Sequence, residues 1–127
     1  MRGPFINTFI VILSCWLLQA CQAEEAPVTQ QQLDQLTSEI EALVEDKSCQ
    51  GAGDCASIAV GAKPCGGPDY YLVFAKSKVD QQLLEEKGNA YNQLKERFNV
   101  ENRLVSDCAV VTAPEVSCQD QVCAPLD

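Results

Sequence analysis

The sequence predicts an α+β domain, with two helices against a short, mostly antiparallel sheet, linked by disulfides and preceded by a signal peptide. Three observations lead there. Apolar residues recur at spacings of three and four over residues 29–46 and again over 77–98. Short β-prone runs bounded by Gly, Pro and Asp fall between and after these stretches. Six cysteines, Cys49, Cys55, Cys65, Cys108, Cys118 and Cys123, lie behind an N-terminus built for export.

The chain of 127 residues divides into a leader (1–20), an acidic tether (21–28), an amphipathic helix (29–47) and a cysteine-rich domain (48–127). The leader starts with Arg2 and continues as the apolar run FINTFIVILSCWLL from Phe5 to Leu18. That run is short of the roughly 20 apolar residues of a spanning helix and suits a signal-peptide core. Small Ala20 then precedes Cys21, as at a secretory cleavage site. Leu18-Gln19-Ala20-Cys21 resembles the lipobox of bacterial lipoproteins. The resemblance implies a diacylglyceryl group on the Cys21 thiol, cleavage before Cys21 and acylation of the new amino terminus. Stable anchoring needs two or more acyl chains, and a cysteine between an apolar core and an acidic tail is placed to carry them. Gln22, where an Asp would imply retention at the inner membrane, implies an outer-membrane location facing the periplasm. Cys15 leaves with the leader.

Cleavage there removes one base, Arg2, and leaves 18 acids against 8 bases. From Gln22 to Asp46 stand Glu24, Glu25, Asp34, Glu39, Glu41, Glu45 and Asp46, with no base among them. Such a segment stands off an anionic membrane surface. Thr29 and Gln32 form a capping box, and Leu33, Leu36, Ile40, Leu43 and Val44 make one apolar stripe. The stripe suits docking on the domain or a short coiled coil.

The six remaining cysteines form three disulfides on this reading, with fifteen possible pairings. A bridge between the first three and the last three would stabilise by about 4 kcal/mol on a chain-entropy argument. A two-residue turn at Asp120-Gln121 would set Cys118 and Cys123 opposite each other, which makes them the first candidate pair. Ser57–Gly61 and Tyr70–Ala75 read as strands separated by the Gly/Pro-rich loop Lys63-Pro64-Cys65-Gly66-Gly67-Pro68. Glycines in Gly51-Ala52-Gly53 and Gly66-Gly67 are expected to supply positive φ angles. Ser77 with Asp80 caps a second helix reaching to about Phe98, weakened by Gly88 by about 1 kcal/mol. Val105–Thr112 reads as a strand and Val116–Ala124 as a tight hairpin.

The chemistry-bearing patterns are sparse. With no histidine, the commonest general base and metal ligand is absent, and a zinc site would need four thiolates in an oxidising compartment. Neither a metal nor a small-molecule cofactor is expected. No Cys-x-x-Cys occurs, so a thioredoxin-type redox site is unsupported. Serines lack a histidine partner, and acids such as Glu85 and Glu86 read as solvated helix faces. A net charge of −9 argues against nucleic-acid binding. The loop carrying Lys63, Pro64, Gly66, Gly67 and Pro68, with Tyr70 and Tyr71 beside it, reads as a covered crossover or as a binding loop presented to a partner. Pro64 directly after Lys63 hinders trypsin-like cleavage there.

Cys65-Gly66-Gly67-Pro68, Tyr71-Leu72-Val73-Phe74, Tyr91-Asn92, Ser106-Asp107-Cys108, Val116-Ser117-Cys118 and Cys123 together resemble small cysteine-rich bacterial envelope proteins, a group without assigned activity. The resemblance implies fold and compartment and carries no catalytic residue. The expectation is a lipid-anchored, non-enzymatic envelope protein that touches the membrane through Cys21 and binds another envelope protein. The rival is an inhibitor of a protease or other hydrolase.

Overall fold

The computed structural model describes residues 25–126. The leader and the lipid-site residue Cys21 lie outside the described residues. Two helices, α1 (Gln30–Leu43) and α2 (Gln81–Glu101), accompany four strands: β1 (Cys55–Val60), β2 (Tyr70–Ala75), β3 (Val116–Gln119) and β4 (Val122–Pro125). The α+β class holds. The strands form two separate antiparallel hairpins, β1–β2 and β3–β4, not one sheet.

Helix α1 begins where its capping box predicts. The Thr29 hydroxyl accepts from the Gln32 amide, and the Gln32 side chain accepts from the Thr29 amide at 2.8 Å. It stops at Leu43, short of the expected 47. Ser48 donates from its amide and hydroxyl to the Asp46 carboxylate, an Asx turn that redirects the chain. The apolar stripe docks on its own domain, with Leu33, Ile40 and Val44 buried and Leu36 and Leu43 packed beside them. Helix α2 is capped by Asp80, whose carboxylate accepts from Leu83 N at 3.1 Å. Ser77 plays no part in that cap; it binds Asp54 instead.

The helices run antiparallel. Val28, just before α1, donates to Glu101 at the end of α2, whereas Glu39 further along α1 pairs with Lys87. They cover one face of β1–β2, where Ala56, Ile58, Val60, Tyr70, Leu72 and Phe74 point, as strand alternation requires. Gly88 faces this sheet; a Cβ there would stand 3.2 Å from Ile58 Cδ1. The opposite face presents Cys55, Val73 and Ala75 to the β3–β4 hairpin. Three thin layers result: helices, hairpin, hairpin.

The disulfides stitch the last two layers. Cys49 pairs with Cys118, Cys55 with Cys123 and Cys65 with Cys108, with Cα separations of 5.9, 5.4 and 5.3 Å. The expected Cys118–Cys123 bond is therefore corrected, although the hairpin that suggested it is present. Cys118 and Cys123 face each other across β3–β4, and Asp120 and Gln121 turn the chain at φ 50° and 67°. Side chains directly opposite in a ladder hold their Cβ atoms about 4.5–5.5 Å apart, wider than the roughly 3.8 Å of a disulfide. Each sulfur instead meets one from the earlier cluster. Cys123 N donates to Lys47 O at 2.8 Å and Cys49 N to Gln121 O at 2.9 Å, laying residues 47–49 along the hairpin.

Residues 105–112 form no strand. Arg103 and Cys108 take positive φ angles of 51° and 56°, and the Asp107 carboxylate accepts from Ala109 N at 3.1 Å. The resulting Asx turn breaks the extended run. Gly51 and Gly53 are likewise corrected: Gly51 has φ −168°, leading into a 3₁₀ turn at Ala52–Asp54 that contains Gly53, whereas Gly66 and Gly67 have the expected positive angles.

Candidate functional site

Two regions merit a chemical reading: the loop between β1 and β2, and a cleft beside the paired disulfides. The loop is rooted on α2. Asn92 accepts from Gly61 N at 2.7 Å, and Asn99, itself buried, donates from Nδ2 to Ala62 O. These asparagines stand seven apart on one helix face. The sequence assigned neither of them a role in holding the loop, although that spacing marks a shared face two turns apart. Inside the loop, Lys63 N donates to Gly67 O and Gly66 N to Lys63 O, both at 2.8 Å. The bond from Cys65 to Cys108 ties its tip to the segment after α2.

The seven candidate binding residues separate on this scaffold. Lys63 is spent internally: its ammonium donates to Ala109 O at 2.8 Å and lies 3.5 Å from Asp107, with the side chain only 15% exposed. The Ala109 amide, with Lys63 next to it, holds the Asp107 carboxyl below the usual carboxylate range. Tyr70 faces the helices, and burial, with Tyr91, Glu41 and Asp69 nearby, pushes its phenol up. Tyr71 lies half-buried on the other face. Pro64, Gly66 and Gly67 form the exposed tip, with Pro68 half-buried behind them. That tip offers backbone and a disulfide, without an ionisable side chain.

The cleft, about 540 Å³, is lined by Ser48, Cys49, Gln50, Asp54, Ser77, Lys78 and Gln121. Ser77 donates to both Asp54 oxygens, from its amide at 2.9 Å and its hydroxyl at 2.7 Å. Ser48 binds Asp46 similarly, with the hydroxyl at 2.6 Å. These serine contacts hold both carboxyls below their ordinary values. A carboxylate so stabilised is a weaker base, and the contacts themselves fasten turns. Beside the cleft, the sulfurs of Cys49, Cys55 and Cys123 lie within 4.8 Å of one another. All three are in disulfides, and metal binding by cysteine needs thiolate.

What the sequence reading missed is apolar. Among the described residues, six large apolar side chains are exposed, and four of them, Val100, Leu104, Val105 and Val110, fall at and beyond the end of α2. Assigning 105–112 to a strand places Val105 and Val110 in a sheet, whereas Val100 and Leu104 lie outside that run. A groove of about 370 Å³ lined by Gln93, Glu96, Arg97, Val100 and Glu101 adjoins them. No described helix is long and apolar enough to cross a membrane. Neither a family model, nor a curated protein sequence, nor a solved structure matches this chain.

Proposed function

We propose that the protein is a lipid-anchored, non-catalytic binding or structural module of a bacterial cell envelope, held by acyl chains on Cys21 and facing the periplasm. One observation carries this reading: behind the lipobox-like Leu18-Gln19-Ala20-Cys21, all six cysteines are paired in disulfides. Three such bonds in a small domain belong to an oxidising, exported setting. The polar pairs support a non-catalytic role, because Asp46, Asp54 and Asp107 are used to hold turns. A second envelope protein is the partner that suits such a module.

Intact mass of the detergent-extracted protein tests the anchor. The expected mass carries acyl chains on a chain beginning at Cys21, and an unmodified mass in a soluble fraction overturns it. Pull-down with the acylated chain tests the module, and capture of a defined envelope component is the expected result.

The inhibitor reading keeps one supporting observation, the exposed Pro64–Gly67 tip braced by the Cys65–Cys108 bond. Lys63 does not serve as its bait, being turned inward onto Ala109 and Asp107. Saturable inhibition of one hydrolase, lost on replacing the tip, would favour that reading over the structural one.

A further inference from the structure

We infer that the apolar end of the domain, Val100, Leu104 and Val105, is a membrane-docking surface that lies against the bilayer into which Cys21 is anchored. The inference rests on the lipid-anchor reading and adds an orientation to it.

The first support is where the tether arrives. Glu25 lies 3.2 Å from the Arg97 guanidinium, and Val28 N donates to Glu101 at 2.8 Å. Arg97 also reaches Ala26 O at 3.4 Å and Glu101 at 3.4 Å. The chain leading from Cys21 is thus fastened to the last turns of α2. Four residue steps separate Cys21 from Glu25, and a fully extended chain covers at most about 3.6 Å per step. Cys21 therefore lies within about 14 Å of the Glu25 backbone, whose side chain is paired with Arg97 on that end of the helix.

The second support is what stands there. Val100 is 74% exposed and Val105 is 91% exposed, with Leu104 also exposed between them. Exposed aliphatics gathered within a few residues at one helix end suit a membrane or protein contact. Arg103, also exposed, sits among them and suits the headgroup level. Leu104 N donates to Asn99 O at 2.9 Å and Arg103 N to Val100 O at 3.2 Å, so the turn is held by backbone bonds.

The third support is charge. Antiparallel packing carries α1 away from this end, and its 14 residues span about 21 Å at 1.5 Å per residue. Glu41, Glu45 and Asp46 are therefore displaced from the patch by about two Debye lengths at physiological salt. Arg97 is shared between Glu25 and Glu101, and exposed Arg103 adds a further cation beside these acids and Glu96. The acids at the far end of α1 are thus aimed away from an anionic surface, and the arrival of the anchored tether beside the patch favours a lipid occupant over a protein one at this face.

The test uses the acylated protein in vesicles of phosphatidylethanolamine and phosphatidylglycerol, with part of the acyl chains brominated. The sequence has one tryptophan, Trp16, which leaves with the leader, so a new one reports alone. Val105→Trp places it in the patch. Val122→Trp is the control, at the end of the fold where Cys55 bonds Cys123, whereas the other end of β1 meets α2 through Gly61 and Asn92. On reconstitution, Val105→Trp emission should shift to the blue and be quenched by brominated chains at least about twofold more than Val122→Trp. Equal quenching of the two, on a chain whose mass shows acyl groups, overturns the docking and leaves the anchor standing. A chain without acyl groups overturns both. A concentration-dependent blue shift without bromine quenching identifies a second copy as the occupant and overturns the membrane assignment.

Discussion

Gly61 ends β1 with φ 91°, and a Cβ there would stand 2.1 Å from Asp69 Oδ2. Its amide also supplies the proton that Asn92 accepts, so one residue closes the strand and roots the loop on α2. Gly61→Ala is expected to cost about 2 kcal/mol, read as a fall in the urea midpoint with unchanged slope. A neutral substitution would show that the loop relaxes freely. The Asp54–Ser77 pair makes a different forecast. Ser77 holds the Asp54 carboxyl below its ordinary value of 3.8. A pKa lowered on folding contributes stability that is complete above the unfolded value and is lost as pH falls through the folded one. Ser77→Ala should therefore lower the urea midpoint at neutral pH, and its effect should shrink as the carboxyl protonates below about pH 4. A penalty that stays constant into acid would assign the effect to something other than the carboxylate.

At the scale of elements, α1 gains its stability from burial more than from its own propensity. Leu33 and Ile40 are fully buried against β1–β2 and α2. Ile40→Ala is expected to destabilise by about 3 kcal/mol in urea unfolding, and Thr29→Ala by about 1 kcal/mol through loss of the cap. Equal losses would mean that α1 is held by its ends and not its stripe. Both the stripe and the α1 cap were legible in the sequence, because helical period and capping boxes are local, whereas the α2 cap falls at Asp80 and not at Ser77. So was β2, whose Tyr70–Ala75 run has the predicted bounds. Residues 105–112 were not. Their β-branched run signals a strand, but Asp107 closes an Asx turn within it and Cys108 is tied to Cys65, so the segment never pairs. Gly88 was misread in the same way. As a local feature it weakens α2; in the fold it lets the helix approach Ile58.

For the molecule as a whole, the disulfides decide how the layers are joined. Peptide mapping under non-reducing conditions should yield Cys49–Cys118, Cys55–Cys123 and Cys65–Cys108. A Cys118–Cys123 peptide would contradict the layer arrangement. Loop-closure entropy gives each bond about 4 kcal/mol, with little difference between separations of 68 and 43 residues. Burial separates them: Cys55 and Cys123 lie in the interface between the hairpins, whereas Cys65 and Cys108 are exposed. Replacing Cys55 and Cys123 together with alanine should therefore lower the urea midpoint more than replacing Cys65 and Cys108 together. Equal shifts would show that only loop closure matters.

The sequence by itself determined what depends on near neighbours: the two helices, the capping box of α1, the β2 strand, the tight turn at Asp120-Gln121 and the α+β class. Only the tertiary structure decided which cysteine meets which. It also turned Lys63 and Tyr70 inward and left Val100, Leu104 and Val105 exposed beside the arriving tether. The physical reason is that period and turn chemistry act over a few residues. Pairing and exposure depend on which distant surfaces meet once the two hairpins and two helices have stacked.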